Sequence, residues 1–322
     1  MLTIWCNTQF SGASLESLEE GVKPHKLIFP KELSASTLAP AGPDPALASA
    51  DIAFGQPDPA SIMQSPSLRW VHLTSAGYTR YDSDEFRKFV AGRGTVVTNS
   101  SSVYAEPCAE HALAFMLTHA RALGQARDMQ RAGQSWETLP LRIKSRLMLR
   151  KKVILLGFGA IGRRLVELLA PFSMEIVAFR RHPVGNEGIP VVSEDRLPQA
   201  LAEADHVINI LPDNPGTRGF VNTRIFASLK PGAVFYNIGR GGTVDQDALL
   251  ANLRSGHIAG AYLDVTDPEP LPPSHPLWAE PGCFITPHTA GGFDTEFEFL
   301  AQHFLENLKR YQVGSGFIDR IM

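Results

Sequence analysis

No stretch of this sequence approaches the ~20 consecutive apolar residues of a membrane-spanning helix, so no membrane span is expected. The N-terminal MLTIWCNTQF lacks a basic flank leading into a long apolar run, so no secretory signal is expected either. Positive charge is not in excess. The formal net charge is −3, whereas a nucleic-acid binder needs a basic face to neutralise phosphates. Cysteine is scarce: Cys6, Cys108 and Cys283 lie far apart and form neither a CxxC motif nor a disulfide framework. They read as small buried apolar residues in a reducing compartment, and the expected location is the cytoplasm. No set of histidines, cysteines and acids has metal-ligand spacing, so no metal is expected. Internal repeats and low-complexity segments are also lacking.

What is present is ordinary globular material. Of the 322 residues 44% are hydrophobic, enough for a core, and the length favours two domains. The first hundred residues alternate β-rich runs (LTIWC from Leu2, KLIF from Lys26, DIAFG from Asp51, RWVHL from Arg69, TVVTN from Thr95) with helix-compatible segments near Asp44–Ala50 and Asp82–Phe89. Such alternation predicts a parallel sheet covered by helices. From about Val103 to Gly133 the spacing of Ala109, Ala112, Leu113, Met116, Leu117, Ala120 and Leu123 predicts one long helix with many small residues. A packing surface between domains or subunits is the favoured reading, with a plain core helix as the alternative.

A second β-α series starts at Lys151. Its strands are KKVILLG, EIVAF from Glu175, HVINI from His206, AVFYN from Ala233, IAGAYLDV from Ile258 and CFIT from Cys283. Helices are expected over Ile161–Ala170 and Asp245–Arg254, and a C-terminal one begins near Thr295. The expected architecture is α/β: two doubly wound parallel-sheet domains, one of the Rossmann dinucleotide-binding type. Residues 103–292 form that domain. Residues 1–102 together with 293–322 form a discontinuous domain to which the last helix returns.

The strand KKVILL runs into GFGAIG and on into the helix IGRRLVELLA. A lone G-x-G-x-x-G is weak, but strand, turn and helix are the context it requires. Gly157 allows the tight turn, Gly159 leaves room for a pyrophosphate, and Gly162 lets helix and strand pack closely. The free amides at the helix start, those of Ala160 and Ile161 among them, would bind that pyrophosphate. A purely structural glycine turn is the plainer alternative. An NAD-preferring site usually has an acid at the end of the next strand, but this sequence has Arg180 and Arg181. A guanidinium grips a 2′-phosphate bidentately, so NADP(H) is the expected cofactor, with NAD possible. A solvated basic turn is the competing reading.

Three further segments follow strands: NIGRGG with Arg240, DPEPL with Glu269, and TPHTAGG with His288. These blocks, with HLTSAGYTRYD, CAEHALAFML, ILPDNPGTRGFVN and LDVTDPEPL in the same order, resemble the D-isomer-specific 2-hydroxyacid dehydrogenase family, its glyoxylate/hydroxypyruvate reductase-like members in particular, over essentially the whole chain. The resemblance implies a flavodoxin-like substrate domain beside the Rossmann domain. It implies that Arg240 binds the substrate carboxylate and polarises the 2-oxo oxygen. His288 would protonate that oxygen as hydride arrives, or remove the proton in reverse, and Glu269 would favour its imidazolium and fix the ring. The amides of Ala76 and Gly77 would hold the substrate carboxylate, Asp264 would contact the nicotinamide carboxamide, and Pro212 and Thr217 would line the cofactor. The implied partners are a small 2-oxo acid and a second copy of the chain, docked through the Val103–Gly133 region.

The sequence departs from the family at Ser102, where Gly is common, and at Tyr78-Thr79, where Val-Asp is common; both bear on the substrate rather than the reaction. Trp278 reads as either an active-site rim or simple packing. His111 is expected to pack or bond at the domain interface, His72 and His206 to be structural, and His257 and His275 to lie in loops. Two rivals stay open. A formate dehydrogenase-like enzyme would pair the histidine with Gln rather than Glu269. A dehydrogenase-like corepressor would use the nucleotide as a signal.

Overall fold

The computed structural model describes residues 1–34, 36, 42–133 and 136–322. The chain divides into two compact units, Met1–Tyr104 with Gly292–Met322, and Ala105–Gly291.

The first unit holds β1 (Thr3–Cys6), β2 (Lys26–Ile28), β3 (Ile52–Gly55), β4 (Trp70–Leu73) and β5 (Val96–Thr98). All pair in parallel in the order β2-β1-β3-β4-β5, the flavodoxin-like order. Every side chain of β3 and β4 is buried, as expected of strands covered on both faces. One face packs Trp5, Ala53, Val71, Leu73 and Val97 against Phe86 and Val90 of the helix Asp84–Arg93. On the other, Phe304 of the C-terminal helix Glu296–Gln312 stacks on Phe54 and Trp70 at 4.2 and 5.2 Å.

The second unit holds β6 (Lys152–Leu156), β7 (Glu175–Phe179), β8 (Val191–Val192), β9 (His206–Asn209), β10 (Ala233–Asn237), β11 (Ile258–Leu263) and β12 (Cys283–Ile285). The order is β12-β11-β10-β9-β6-β7-β8, all parallel. This is the Rossmann order with one added strand. Alternate residues serve two cores: Ile154, Leu156, Val207 and Phe235 on one face, and Val153, Leu155, Ile208 and Tyr236 on the other. The order reverses between β6 and β9, where open α/β sheets bind ligands beyond the strand C-termini.

The single helix expected over Val103–Gly133 is two, Ser101–Ala120 and Leu123–Gly133. Ala122 takes a left-handed backbone (φ 53°), and the Ala120 carbonyl accepts the amide of Arg146 at 2.7 Å instead of continuing the helical ladder. Cys283 is another correction: Cys6 and Cys108 are buried, but Cys283 is partly exposed. Burial pushes all three thiols up to about 12, so they are held as inert thiols at neutral pH. Among the described residues no helix is long and apolar enough to cross a membrane.

Candidate active site

Each candidate group of the second unit lies at or just beyond the C-terminal edge of its strand, because parallel pairing sends every strand end to the same side. The glycine turn follows β6. Gly157 has φ 96°, and a Cβ there would lie 3.1 Å from the carbonyl oxygen of Ile210, so the turn needs glycine for both conformation and space. A Cβ on Gly159 would meet nothing within 4 Å, and one on Gly162 would press on the Phe158 ring at 3.0 Å. Gly159 caps the helix Ala160–Leu169 without a side chain. The first amide to bond back is that of Arg163, to the Gly159 carbonyl at 3.1 Å, leaving the Ala160, Ile161 and Gly162 amides available to an anion. An open backbone approach in front of free donors fits a dinucleotide pyrophosphate.

The loops on either side of this turn touch each other. Arg181, after β7, donates to the carbonyl of Gly216 in the loop after β9. Arg180 stands 3.6 Å from Glu187, whose carboxylate accepts the Val184 and Gly185 amides at 2.6 and 2.9 Å. In the other loop Pro212 is exposed and Thr217 buried. The Thr217 hydroxyl donates to the Pro212 carbonyl and accepts the Asn214 amide at 3.0 Å. Thr217 therefore shapes its loop from within.

Arg240 follows β10 on a loop wedged against its neighbours. A Cβ on Gly241 would fall 1.8 Å from the carbonyl oxygen of Thr266, so this close approach admits only glycine. Two buried asparagines orient the loop. Asn209 donates to Asn237 at 2.9 Å and to Thr243 at 2.7 Å, while Asn237 accepts the Gly239 amide at 3.2 Å and donates to the Arg240 carbonyl at 3.3 Å. Sequence reasoning missed both. Each ends a strand immediately before a candidate loop, and that position was the available signal. The Arg240 guanidinium donates to the Gly239 carbonyl at 2.6 Å.

Glu269 and His288 are brought together, with Oε1 2.9 Å from Nδ1. The His288 side chain is 28% exposed and that of Glu269 41%, so the pair is reachable from solvent. His288 has φ 52°, a left-handed conformation that a non-glycine residue adopts only when its surroundings hold it there. Asp264 supplies much of that hold. Its main-chain carbonyl accepts the His288 amide at 2.8 Å, and its carboxylate accepts the Thr286 hydroxyl at 2.6 Å and the Thr289 and Ala290 amides at 2.8 and 3.0 Å. With 1% of its side chain exposed, Asp264 is largely spent on this loop.

In the first unit Ala76 and Gly77 follow β4. Their carbonyls are taken, by Asn99 Nδ2 and Ser75 Oγ at 2.6 Å each. Among the described residues the Ala76 and Gly77 amides make no backbone hydrogen bond. Ser102 donates to Asp319 through its amide and its hydroxyl, both at 2.7 Å, which anchors the C-terminal tail at the start of a helix. Trp278 is half exposed and donates to the Pro272 carbonyl at 3.1 Å. His72 and His206 are buried, and desolvation depresses both, His206 to about 4. Among the described residues no group of histidines, cysteines and acids is placed to hold a metal.

A Rossmann unit with a free-amide glycine turn and a paired histidine and carboxylate fits a bound dinucleotide beside a group able to move a proton. Residues 113–290 match the family model described as D-isomer specific 2-hydroxyacid dehydrogenase, NAD binding domain. Among curated proteins, a human glyoxylate reductase/hydroxypyruvate reductase is 34% identical over 226 residues, 69% of this chain and 67% of that protein. An uncharacterized protein from Corynebacterium melassecola is 38% identical over 224 residues, 67% of this chain and 71% of that one. Among solved structures, a D-isomer specific 2-hydroxyacid dehydrogenase from Xanthobacter autotrophicus in complex with NADPH and MES is 26% identical. It superposes with a TM-score of 0.80, covering 100% of this chain and 98% of that one. The chain belongs to the D-isomer specific 2-hydroxyacid dehydrogenase family, and as a member it is an NAD(P)-dependent oxidoreductase.

Proposed function

We propose that this protein is an NADP(H)-preferring reductase of small 2-oxo acids, glyoxylate or hydroxypyruvate, whose reverse substrate is the D-2-hydroxy acid. The observation that carries the reading is the 2.9 Å pair of Glu269 and His288 on loops after adjacent parallel strands. Glu269 accepts at Nδ1, which leaves Nε2 of His288 to give its proton to the 2-oxo oxygen or take it back. Arg240 offers a guanidinium to the substrate carboxylate and to the charge developing on that oxygen. The Ala76 and Gly77 amides of the first unit are proposed as further donors to the carboxylate, which makes residues 1–102 and 293–322 the substrate domain. The nicotinamide, when bound, supplies or accepts the hydride.

Arg180 and Arg181 are proposed to bind the 2′-phosphate, and the Gly157–Gly162 turn the pyrophosphate. The relatives add support: an NADPH-dependent glyoxylate/hydroxypyruvate reductase from Sinorhizobium meliloti is 27% identical with a TM-score of 0.77, covering 100% of this chain and 97% of that one. A homodimer is proposed through the Val103–Gly133 region and the segment after it. The helices Leu123–Gly133 and Thr138–Lys144 bury no residue within the chain, and Trp136 between them is 95% exposed. Light scattering on the purified chain checks this, and a monomer at micromolar concentration would refute it.

The deciding assay is oxidation of NADPH by glyoxylate, hydroxypyruvate, pyruvate and phenylpyruvate, repeated with NADH. Turnover with glyoxylate or hydroxypyruvate and a clear NADPH preference are expected. Failure with every 2-oxo acid would instead favour a nucleotide-sensing role.

A further inference from the structure

The hold on the His288 loop does not end at Asp264. His111 lies on the helix Ser101–Ala120, far from His288 in sequence, and its Nε2 is 3.1 Å from the Thr286 hydroxyl and 3.7 Å from Asp264 Oδ1. The hydroxyl has one proton, and it goes to Asp264 at 2.6 Å. Nε2 of His111 must therefore be the donor to that oxygen. The imidazole is half-buried and set edge-on against Phe115 at 4.4 Å. Desolvation lowers its pKa, opposed by the Asp264 charge, so near neutral pH the ring is uncharged with its single proton on Nε2. The bonds run in one direction, from His111 through Thr286 to Asp264, and Asp264 in turn receives the Thr289 and Ala290 amides that immediately follow His288.

We infer that His111 is a positioning residue for His288: through Thr286 it fixes the Asp264 carboxylate that keeps the 286–290 loop in its left-handed turn. The inference rests on the proposed role of His288 and adds to it a residue that touches neither substrate nor cofactor. Removing His111 leaves Thr286 with one acceptor site unused and lets the hydroxyl and carboxylate rotate. The loop then samples conformations in which His288 is misaligned with the 2-oxo oxygen, and small misplacements of that kind are costly to turnover.

The test uses the full chain with His111→Leu, Thr286→Val and Thr286→Ser. In NADPH-dependent reduction of glyoxylate, the first two should lower kcat about tenfold while the KM for NADPH stays within about twofold. Thr286→Ser, which keeps the hydroxyl, should stay within about twofold of the parent. Amide hydrogen exchange of Thr289 and Ala290 in the cofactor-free protein should quicken about tenfold in the first two variants alone. An unchanged kcat in His111→Leu, or an equal loss in Thr286→Ser, would overturn the inference. If the parent reduces no 2-oxo acid, it is the functional reading that fails, and the exchange rates still decide whether His111 braces the loop.

Discussion

The Glu269 carboxylate stands 2.9 Å from Nδ1 of His288, so the imidazole has one nitrogen committed to an acceptor and the other left for chemistry. A carboxylate at that distance fixes which face the ring presents.

His288→Ala removes the proposed proton donor itself. Turnover with a 2-oxo acid should fall by roughly the 10²–10⁴ of a general acid, while the protein still binds NADPH as judged by fluorescence titration. Glu269→Gln keeps the size and one hydrogen bond but removes the charge, so a smaller loss of about tenfold to a hundredfold is expected. Turnover unchanged in His288→Ala would refute the assignment outright.

Arg181 crosses to Gly216 and Arg180 faces Glu187, both at the end of β7, the strand paired with β6. Replacing both by Ala should lower kcat/KM for NADPH at least about tenfold and leave NADH nearly unaffected, since charge-assisted bonds to a phosphate are the strong ones. The ratio of the two efficiencies is the measurement. A preference for NADPH that survives the double change would mean the phosphate is held elsewhere.

The legible parts of this molecule are those whose signals are local. The β6 turn could be read because KKVILL, the glycines and an amphipathic helix are contiguous, and the doubly wound order followed from regular β-α alternation. Arg240, Glu269 and His288 were singled out from ordered blocks that resemble a family, not from spacing. The break at Ala122 was hidden, because the Ala120 carbonyl is claimed by Arg146, far along the chain. The helix Gly12–Gly21 was missed because glycine stands at both ends and only Ser14 and Leu18 are buried. The partners of Asp264 come from His111 and the 286–290 loop, a convergence no local window contains. For that reason the bracing of the 286–290 loop by the Asp264 carboxylate was not legible in the sequence.

Gly241 offers a sharper test of how the Arg240 loop is built. A Cβ there would lie 1.8 Å from a backbone carbonyl of Thr266, and backbone cannot step aside as a flexible side chain can. Gly241→Ala should therefore shift the loop, costing about 1–3 kcal/mol of stability and about a hundredfold in kcat/KM. Thermal unfolding and steady-state kinetics measure the two effects. A variant with parental kinetics would mean that the Arg240 loop need not sit where it does.

His206 gives the fold a defined response to acid. It is 6% exposed, its Nδ1 is 3.0 Å from the Tyr236 hydroxyl, and desolvation depresses it from 6.5 to about 4, with the nearby His119 adding to the effect. Between those values the unfolded chain binds the proton and the folded one does not. Unfolding free energy therefore rises with pH across the window and is lost as pH falls from about 6.5 towards 4. Going from pH 7.5 to 5.0 should remove about 2 kcal/mol through this residue alone. His72, His303, His119 and His111, all lowered by burial, act in the same direction. Urea unfolding at the two pH values measures the difference, and His206→Gln, which cannot titrate, should shrink it by about the same 2 kcal/mol. An identical pH dependence in the variant would show that His206 is protonated equally in both states, which its burial beside Tyr236 argues against.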